Sequence, residues 1–367
     1  MNATATVVPV SMRPYELGDD DLDARIRALA EDAVTAHGHD HGDVDLVHEM
    51  LVTTLKLHRD DADRGDLKLV NSALKEMRYS FLVFSRFREI PKVTIFGSAR
   101  TPPHDPNYQM AADFASHMAG ERGWMVITGA GPGIMEAGSM GAGRERGFGV
   151  NIRLPFEGDA NPYIHESRLI NFKYFFTRKL MFMKESHAFA LFPGGFGTQD
   201  ETFELLTLIQ TGKSDLHPVV LLEAPGTGYW EGWLDFLRGS LLDRGMITPE
   251  DLDLFTYTTD AKEAARAVCD FYAVYHSQRF VGDDLVLRLK AELSDEQVER
   301  LNDEYSDIVV AGTIASAKAS DAEIRDGDHV DLPRIKLHFN RRSLGRLRSL
   351  IDTVNGFASG EDSLTAD

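Results

Sequence analysis

The stretch Phe192-Pro193-Gly194-Gly195-Phe196-Gly197-Thr198-Gln199-Asp200-Glu201 restricts the fold more than any other part of the chain. Before it stands an apolar run, His187-Ala188-Phe189-Ala190-Leu191-Phe192, which reads as a buried strand. After it, Thr202 to Gln210 carries apolar residues at helical spacing. The glycines therefore sit where a strand turns into a helix. Amides at such a turn have no partner and lie at the positive end of the helix dipole, which makes a cradle for a phosphate. Glycine lets an anion approach the backbone closely. Glu201 is expected in the first helical turn. A carboxylate so near a phosphate is costly unless it works on another part of the same ligand, so the pairing points to chemistry on a phosphorylated molecule.

Strands and helices alternate from about residue 92 to 275. Val93 to Phe96, Trp124 to Thr128, Val150 to Leu154, Pro218 to Leu222 and Leu254 to Tyr257 read as strands, with Arg168 to Phe172 as a shorter one. Tyr108 to Glu121, Lys173 to Glu185, Tyr229 to Arg244 and a helix capped by Asp260 and running to about Tyr275 lie between or after them. This order predicts an α/β fold, a doubly wound parallel sheet with helices on both faces. Ligands of such sheets bind beyond the carboxyl ends of the strands. Gly97 and Ser98 follow the first strand and Gly129 to Gly133 the second. Pro155-Phe156-Glu157 follows the third, and Gly194 follows the cradle strand, so these segments can converge. Gly129-Ala130-Gly131-Pro132-Gly133 echoes a dinucleotide fingerprint, but Pro132 and Glu136 break the pattern and the second strand is a late place for it. It reads as a second glycine-lined helix start facing the same crevice, with Gly131 and Gly133 as binding candidates.

Composition excludes several classes. The net charge of −19 argues against a general nucleic-acid-binding surface. A single cysteine, Cys269, excludes a disulfide framework and a multi-cysteine metal site. Met1 to Val10 lacks the features of a secretory signal, and no run approaches the ~20 apolar residues of a membrane helix. A soluble cytoplasmic protein is expected, with no membrane partner.

The flanks differ from the centre. Residues 1–90 form a mostly helical N-terminal extension, 91–278 the central domain, and 279–367 a small α/β C-terminal appendage. In the extension, His37-Gly38-His39-Asp40-His41-Gly42-Asp43 matches no closed zinc spacing and reads as a surface turn, so no metal is expected. In the appendage, Leu285 to Leu289, Asp307 to Ala315 and Arg334 to Phe339 read as strands. Ser294 to Gln297 reads as a capping box, Ser316 to Asp331 as a loop, and Arg342 to Val354 as a helix. Arg341, Arg342, Arg346 and Arg348 could form a basic patch, although a solvated face is the plainer reading.

Pro193 to Thr198 with Glu201 resembles the signature P-G-G-x-G-T-x-x-E of the LOG ("lonely guy") family, nucleoside 5′-monophosphate phosphoribohydrolases often labelled lysine decarboxylases. The resemblance extends to Arg178-Lys179 before the proline, to Pro155-x-Glu157 and to Thr207 on the cradle helix, and it covers about residues 90 to 275. It implies a Rossmann-like catalytic domain. It implies Glu201 and Arg178 as catalytic residues. Gly194, Gly195, Phe196, Gly197, Thr198, Lys179, Glu157, Thr207, Gly97, Ser98, Gly131 and Gly133 would bind the substrate. It also implies a homodimer or larger homo-oligomer with the site near the subunit interface, and no metal or organic cofactor. The long flanks are closer to the larger bacterial nucleotide nucleosidases, which favours AMP or a related nucleotide over a cytokinin nucleotide. The rival reading is a non-catalytic nucleotide or cofactor carrier on the same fold.

Overall fold

The structure, a computed structural model, describes residues 15–36, 43–153 and 160–358. The chain divides into two compact units between Lys75 and Glu76. In the first, α1 (Asp20–Thr35) packs on α2 (Val44–Arg59) through Ile26, Ala30, Val34, Val44 and Val52. Asp19 caps α1 by accepting from the Leu22 amide. Helix α3 (Arg64–Ser85) runs through the division. Residues 37–42 of the histidine-rich turn lie outside the described residues; Asp43 stands at the start of α2.

The second unit is built on seven strands: β1 (Lys92–Phe96), β2 (Met125–Thr128), β3 (Gly147–Ile152), β4 (Leu169–Phe172), β5 (Ala188–Leu191), β6 (Val219–Leu222) and β7 (Thr256–Thr258). They form one sheet in the order β4-β3-β2-β1-β5-β6-β7, and every pair is parallel. Between them come α4 (Pro106–Ser116), α5 (Ile134–Ala142), α6 (Phe175–Glu185), α7 (Phe196–Gln210), α8 (Tyr229–Phe236) and then α9 (Ala261–Asp270). Side chains of a strand alternate between faces. Phe189 and Leu191 of β5 join one apolar core, and Ala188 and Ala190 join the other. Helices cover both faces, so the strands carry apolar residues on both sides and read as continuous apolar runs.

The smaller sheet is antiparallel, in the order β10-β11-β9-β8. It comprises β8 (Tyr275–Val281), β9 (Asp284–Leu289), β10 (Ala315–Ala317) and β11 (Arg334–Leu337). Helices α10 (Asp295–Tyr305), α11 (Asp321–Asp326) and α12 (Leu344–Gly356) complete the chain. The expected boundary at 279 falls inside β8, and one core continues from Ile127 and Leu191 to Leu285, Ile335 and Leu350.

Several expected elements end elsewhere. The helix after Asp260 stops at Asp270, and Tyr275 opens β8 instead. Val281-Gly282-Asp283-Asp284 closes a tight hairpin with Gly282 at φ 63°, and the pairing of β8 with β9 wins over helix continuation. The strand expected from Asp307 to Ala315 is reduced to a Val309–Phe339 bridge and the short β10, because Gly312 at φ 74° breaks the extended run. The expected loop 316–331 contains α11, opened by a capping box of Ser320 and Glu323. The arginines of the appendage do not act as one patch. Arg346 pairs with Asp307 at 3.0 Å, while Arg348 is buried and pairs with Asp352 at 3.0 Å.

Candidate functional site

Strands β1 and β5 are neighbours, yet the chain proceeds from them in opposite directions across the sheet. That is the switch point at which doubly wound sheets open a crevice. The loops after both strands leave side by side, tied by the Ser98 amide donating to the Pro193 carbonyl at 3.0 Å. A cavity of about 890 Å³ opens there.

Helix α7 supplies one wall. It begins at Phe196, with Gly195 as its cap, six residues before Thr202. Glu201 therefore lies in the second turn, not the first. The amides of Phe196, Gly197 and Thr198 have no acceptor within the helix, so they form the cradle. Glu201 is three residues beyond Thr198 and five beyond Phe196, roughly 4–8 Å down the axis at ~1.5 Å per residue. Its side chain tilts back toward the helix start. The longer helix thus separates the anion cradle from the carboxylate. The cradle is tight: a Cβ on Gly194 would stand 2.1 Å from Thr198 Oγ1.

Glu201 occupies the buried stripe of α7 with Thr198, Thr202, Leu205 and Ile209. It is 6% exposed, and its Oε2 has no hydrogen-bond partner among the described residues. A carboxylate placed only to favour the helix dipole would sit in water; this one does not. Burial pushes Glu201 up to about 7, against the opposing charges of Lys179 and Arg178, and with help from Glu204 and Asp200.

Arg178 reaches the cavity from α6. Its Nε donates to the Val150 carbonyl at 2.9 Å, and Nη2 lies 3.5 Å from the Gly129 carbonyl. The guanidinium is also stacked over Phe182. Gly129 is required by this approach, since a Cβ there would meet Arg178 Nη2 at 2.4 Å. Lys179 points elsewhere. It pairs with Asp200 at 2.9 Å and with Glu204, and stands 3.9 Å from Glu201. Burial would lower Lys179, but its hydrogen bonds to Glu204 and Asp200 outweigh that and raise it.

The cavity brings together Gly97, Ser98, Gly131, Gly194, Gly195, Phe196, Gly197, Thr198, Arg178 and Glu201 from the sequence reading. Among the described residues it does not bring in three others. Lys179 serves the carboxylates instead of the cavity. Thr207 is exposed on the far side of α7, three turns from the cradle. Gly133 caps α5 at φ 70°, packed against the Ser98 carbonyl. Glu157 lies outside the described residues. Arg100, whose charge after the first strand already favours binding over a plain turn, joins the lining, and the structure adds Met135, Ile152, Phe175, Gln199 and Asp200. Behind the lining, the Tyr229 hydroxyl donates to the Gly194 carbonyl at 2.6 Å and accepts from Gln199 at 2.6 Å. Buried Glu223 fixes Tyr229 by accepting from its amide at 2.8 Å. Phe175 carried a readable signal: it lies three residues before Arg178, one helical turn away on the same face. Tyr229 had none, since its contact spans 35 positions.

Fold and cavity define a doubly wound α/β protein in which a helix start with unpaired amides adjoins a buried glutamate. A family profile described as "Possible lysine decarboxylase" matches residues 131–268. The cytokinin riboside 5′-monophosphate phosphoribohydrolase of Mycobacterium tuberculosis is 31% identical over 177 residues, covering 46% of this chain and 89% of that protein. A protein of the same description from Arabidopsis thaliana is 34% identical over 94 residues, 26% of this chain and 42% of its own length. Among solved structures, a molybdenum cofactor carrier protein from Chlamydomonas reinhardtii aligns over 49% of this chain and 96% of its own, at 23% identity and a TM-score of 0.35. The chain belongs to the LOG family.

The decarboxylase description does not fit the cavity. Pyridoxal phosphate chemistry needs a lysine to carry the cofactor. No lysine lines the cavity among the described residues, and Lys179 is engaged by carboxylates.

Proposed function

We propose that this chain hydrolyses the N-glycosidic bond of nucleoside 5′-monophosphates of the AMP type, releasing the free base and ribose 5-phosphate. The observation that carries the reading is Glu201: a buried carboxylate with an unpartnered oxygen, held at about 7 in a cavity that also contains an anion cradle. The relatives' names point to the same reaction class, with cytokinin riboside 5′-monophosphates as their substrates.

In this reading the 5′-phosphate rests on the amides of Phe196, Gly197 and Thr198, and Ser98 and Gly97 close the other side. The ribose then lies toward Glu201. The C1′–N bond breaks, its electron pair leaves with the base, and positive charge builds on the ribose ring. Ionised Glu201 stabilises that charge and takes a proton from the water that bonds to C1′. The base nitrogen takes a proton from solvent as it departs, and Glu201 returns its own to solvent afterwards. Arg178, fixed by the Val150 and Gly129 carbonyls, favours the ionised form of Glu201 through its charge, second to Lys179.

The same reading includes a second copy of the chain. Phe196 is 97% exposed at the cavity mouth, and Phe175, Phe176 and Leu180 of α6 are each about half exposed. A self-complementary contact over these residues would cover the mouth. Sedimentation of the purified protein tests it: a dimer that Phe196→Asp turns into a monomer is expected.

The reaction is tested by incubating the protein with a panel of nucleoside 5′-monophosphates, AMP and cytokinin riboside 5′-monophosphates included, and chromatographing for free base. Base released by wild type and not by Glu201→Gln is the expected result, and the ranking names the substrate. Tight nucleotide binding with no base released from any member would overturn the reaction in favour of a carrier.

A further inference from the structure

A second large cavity, about 870 Å³, lies at the opposite end of the same central strands. Trp124, His187 and His217, which line it, stand immediately before or close to the starts of β2, β5 and β6. Tyr272, Tyr275 and Lys290 line it from the segments that lead into β8 and out of β9. The residues of the first cavity stand beyond the ends of β1 and β5, so the two are separated by the length of a strand, roughly 13 Å for β1 at ~3.3 Å per residue.

Charge distinguishes the two. The first cavity is lined by two cations, Arg100 and Arg178, and two acids, Asp200 and Glu201. The second is lined by Arg88, Lys184, Lys213 and Lys290 against Glu89 and Asp215, together with four histidines. This excess stands in a chain of net charge −19. Lys184 is paired with Glu185 at 2.6 Å. Arg88 and Lys213 have no carboxylate partner among the described residues. Lys290 donates to the Tyr272 carbonyl and faces that ring at 5.9 Å, again without an acid among the described residues. Unpaired cations gathered around one concave surface are the arrangement that recognises a multiply charged anion.

Of the histidines, His187 adds a ring donor and His217 an acceptor. His187 Nδ1 accepts from the Lys92 amide at 3.2 Å, which leaves the ring hydrogen on Nε2. His217 Nδ1 is 3.3 Å from the Tyr272 hydroxyl, whose own hydrogen goes to the His187 carbonyl at 2.6 Å. Burial, aided by the Lys92 charge for His187 and by His187 for His217, lowers both to about 4, so both rings are neutral at pH 7.

We infer that this cavity is a second ligand site, separate from the cradle, that takes a small multiply charged anion of the phosphate class through Arg88, Lys213 and Lys290. Its volume is within the ~300–1,000 Å³ of small-molecule sites. The inference does not depend on the reaction proposed for the first cavity.

Inorganic pyrophosphate is the probe, titrated calorimetrically at constant ionic strength into the full-length protein, with citrate as a non-phosphate polyanion. Three proteins are compared: wild type, Arg88→Glu/Lys213→Glu, and Gly195→Asp. The exchanged cations are exposed. Gly195 has open space where a Cβ would go, so its aspartate places a negative charge in the cradle without a clash. Saturable pyrophosphate binding to wild type and to Gly195→Asp is expected, weakened at least tenfold in the double charge reversal. Lys290→Gln supplies a milder variant if the double reversal unfolds, and should weaken binding in the same direction. Binding abolished by Gly195→Asp would assign the ligand to the cradle and overturn the second site. Equal binding by the charge-reversed protein would overturn it too, and citrate binding as tight as pyrophosphate would overturn the phosphate class.

Discussion

Replacing Glu201 with glutamine should stabilise the protein, and by an amount that grows with pH. The folded carboxyl titrates at about 7, against 4.5 for its ordinary value. Between those pH values the native state keeps a proton that the unfolded chain has released. Stability therefore falls as pH rises through this window and levels off above about 7. The whole gap corresponds to about 3 kcal/mol at ~1.36 kcal/mol per pH unit. Glutamine mimics the protonated acid and removes this slope. Relative to wild type, the variant should gain about 1 kcal/mol at pH 5.5 and about 3 kcal/mol at pH 8.5. Any pH-independent effect of the new amide cancels when the two conditions are compared. Urea unfolding of both proteins at each pH, with equal m-values, measures the difference. A difference between the proteins that is the same at pH 5.5 and 8.5 would refute the argument, because Glu201 would then titrate like an exposed carboxylate.

Lys179→Met should move the acid limb of the kcat/KM profile about one pH unit higher, since it removes the largest charge that favours ionised Glu201; an unmoved limb on free-base release from AMP would place Lys179 outside the electrostatics of the site. Gly194→Ala should cost at least tenfold in kcat/KM, because its Cβ would stand 2.1 Å from the stiff Thr198 side chain. Gly195→Ala, with nothing within 4 Å, should unfold at the wild-type urea midpoint. In the small sheet, Arg288→Met should lower unfolding free energy by about 3 kcal/mol by leaving buried Glu323 without its two-bonded partner, read by urea denaturation.

The sequence made the central sheet legible because parallel strands buried on both faces are nearly unbroken apolar runs. Phe189-Ala190-Leu191 could hardly be anything else. The helix starts were harder. The apolar helical pattern declares itself only from Thr202, so Gly197 and Thr198 read as part of the strand-to-helix turn. Helical geometry holds from Phe196 because the Gln199 amide finds the Gly195 carbonyl at 3.0 Å, and Thr202 donates back to the Thr198 carbonyl at 2.7 Å. The appendage was read least well. β8 alternates too weakly to declare itself, with Ser277, Gln278 and Arg279 in its middle, and its pairing with β9 is what makes it a strand. Contacts over long separations were invisible for the same reason: nothing near Gly194 in the sequence announces Tyr229.

The depth of Glu201 in α7 matters for function. With Glu201 in the first turn, cradle and carboxylate would crowd each other, and a phosphate would raise the glutamate further by direct repulsion. One turn deeper, the same residue falls on the stripe that faces the sheet, between Thr198 and Leu205. Packing there asks for an apolar side chain. A glutamate at that position is destabilising when ionised, and the surroundings offset only part of the cost through Lys179 and Arg178. A residue that opposes both the helix pattern and the stability of the fold, in a cavity at the switch point of the sheet, is placed for chemistry that an apolar residue cannot perform. This makes the stability gain of Glu201→Gln and its loss of turnover two readings of one arrangement. A variant that lost activity without gaining stability at high pH would break that connection.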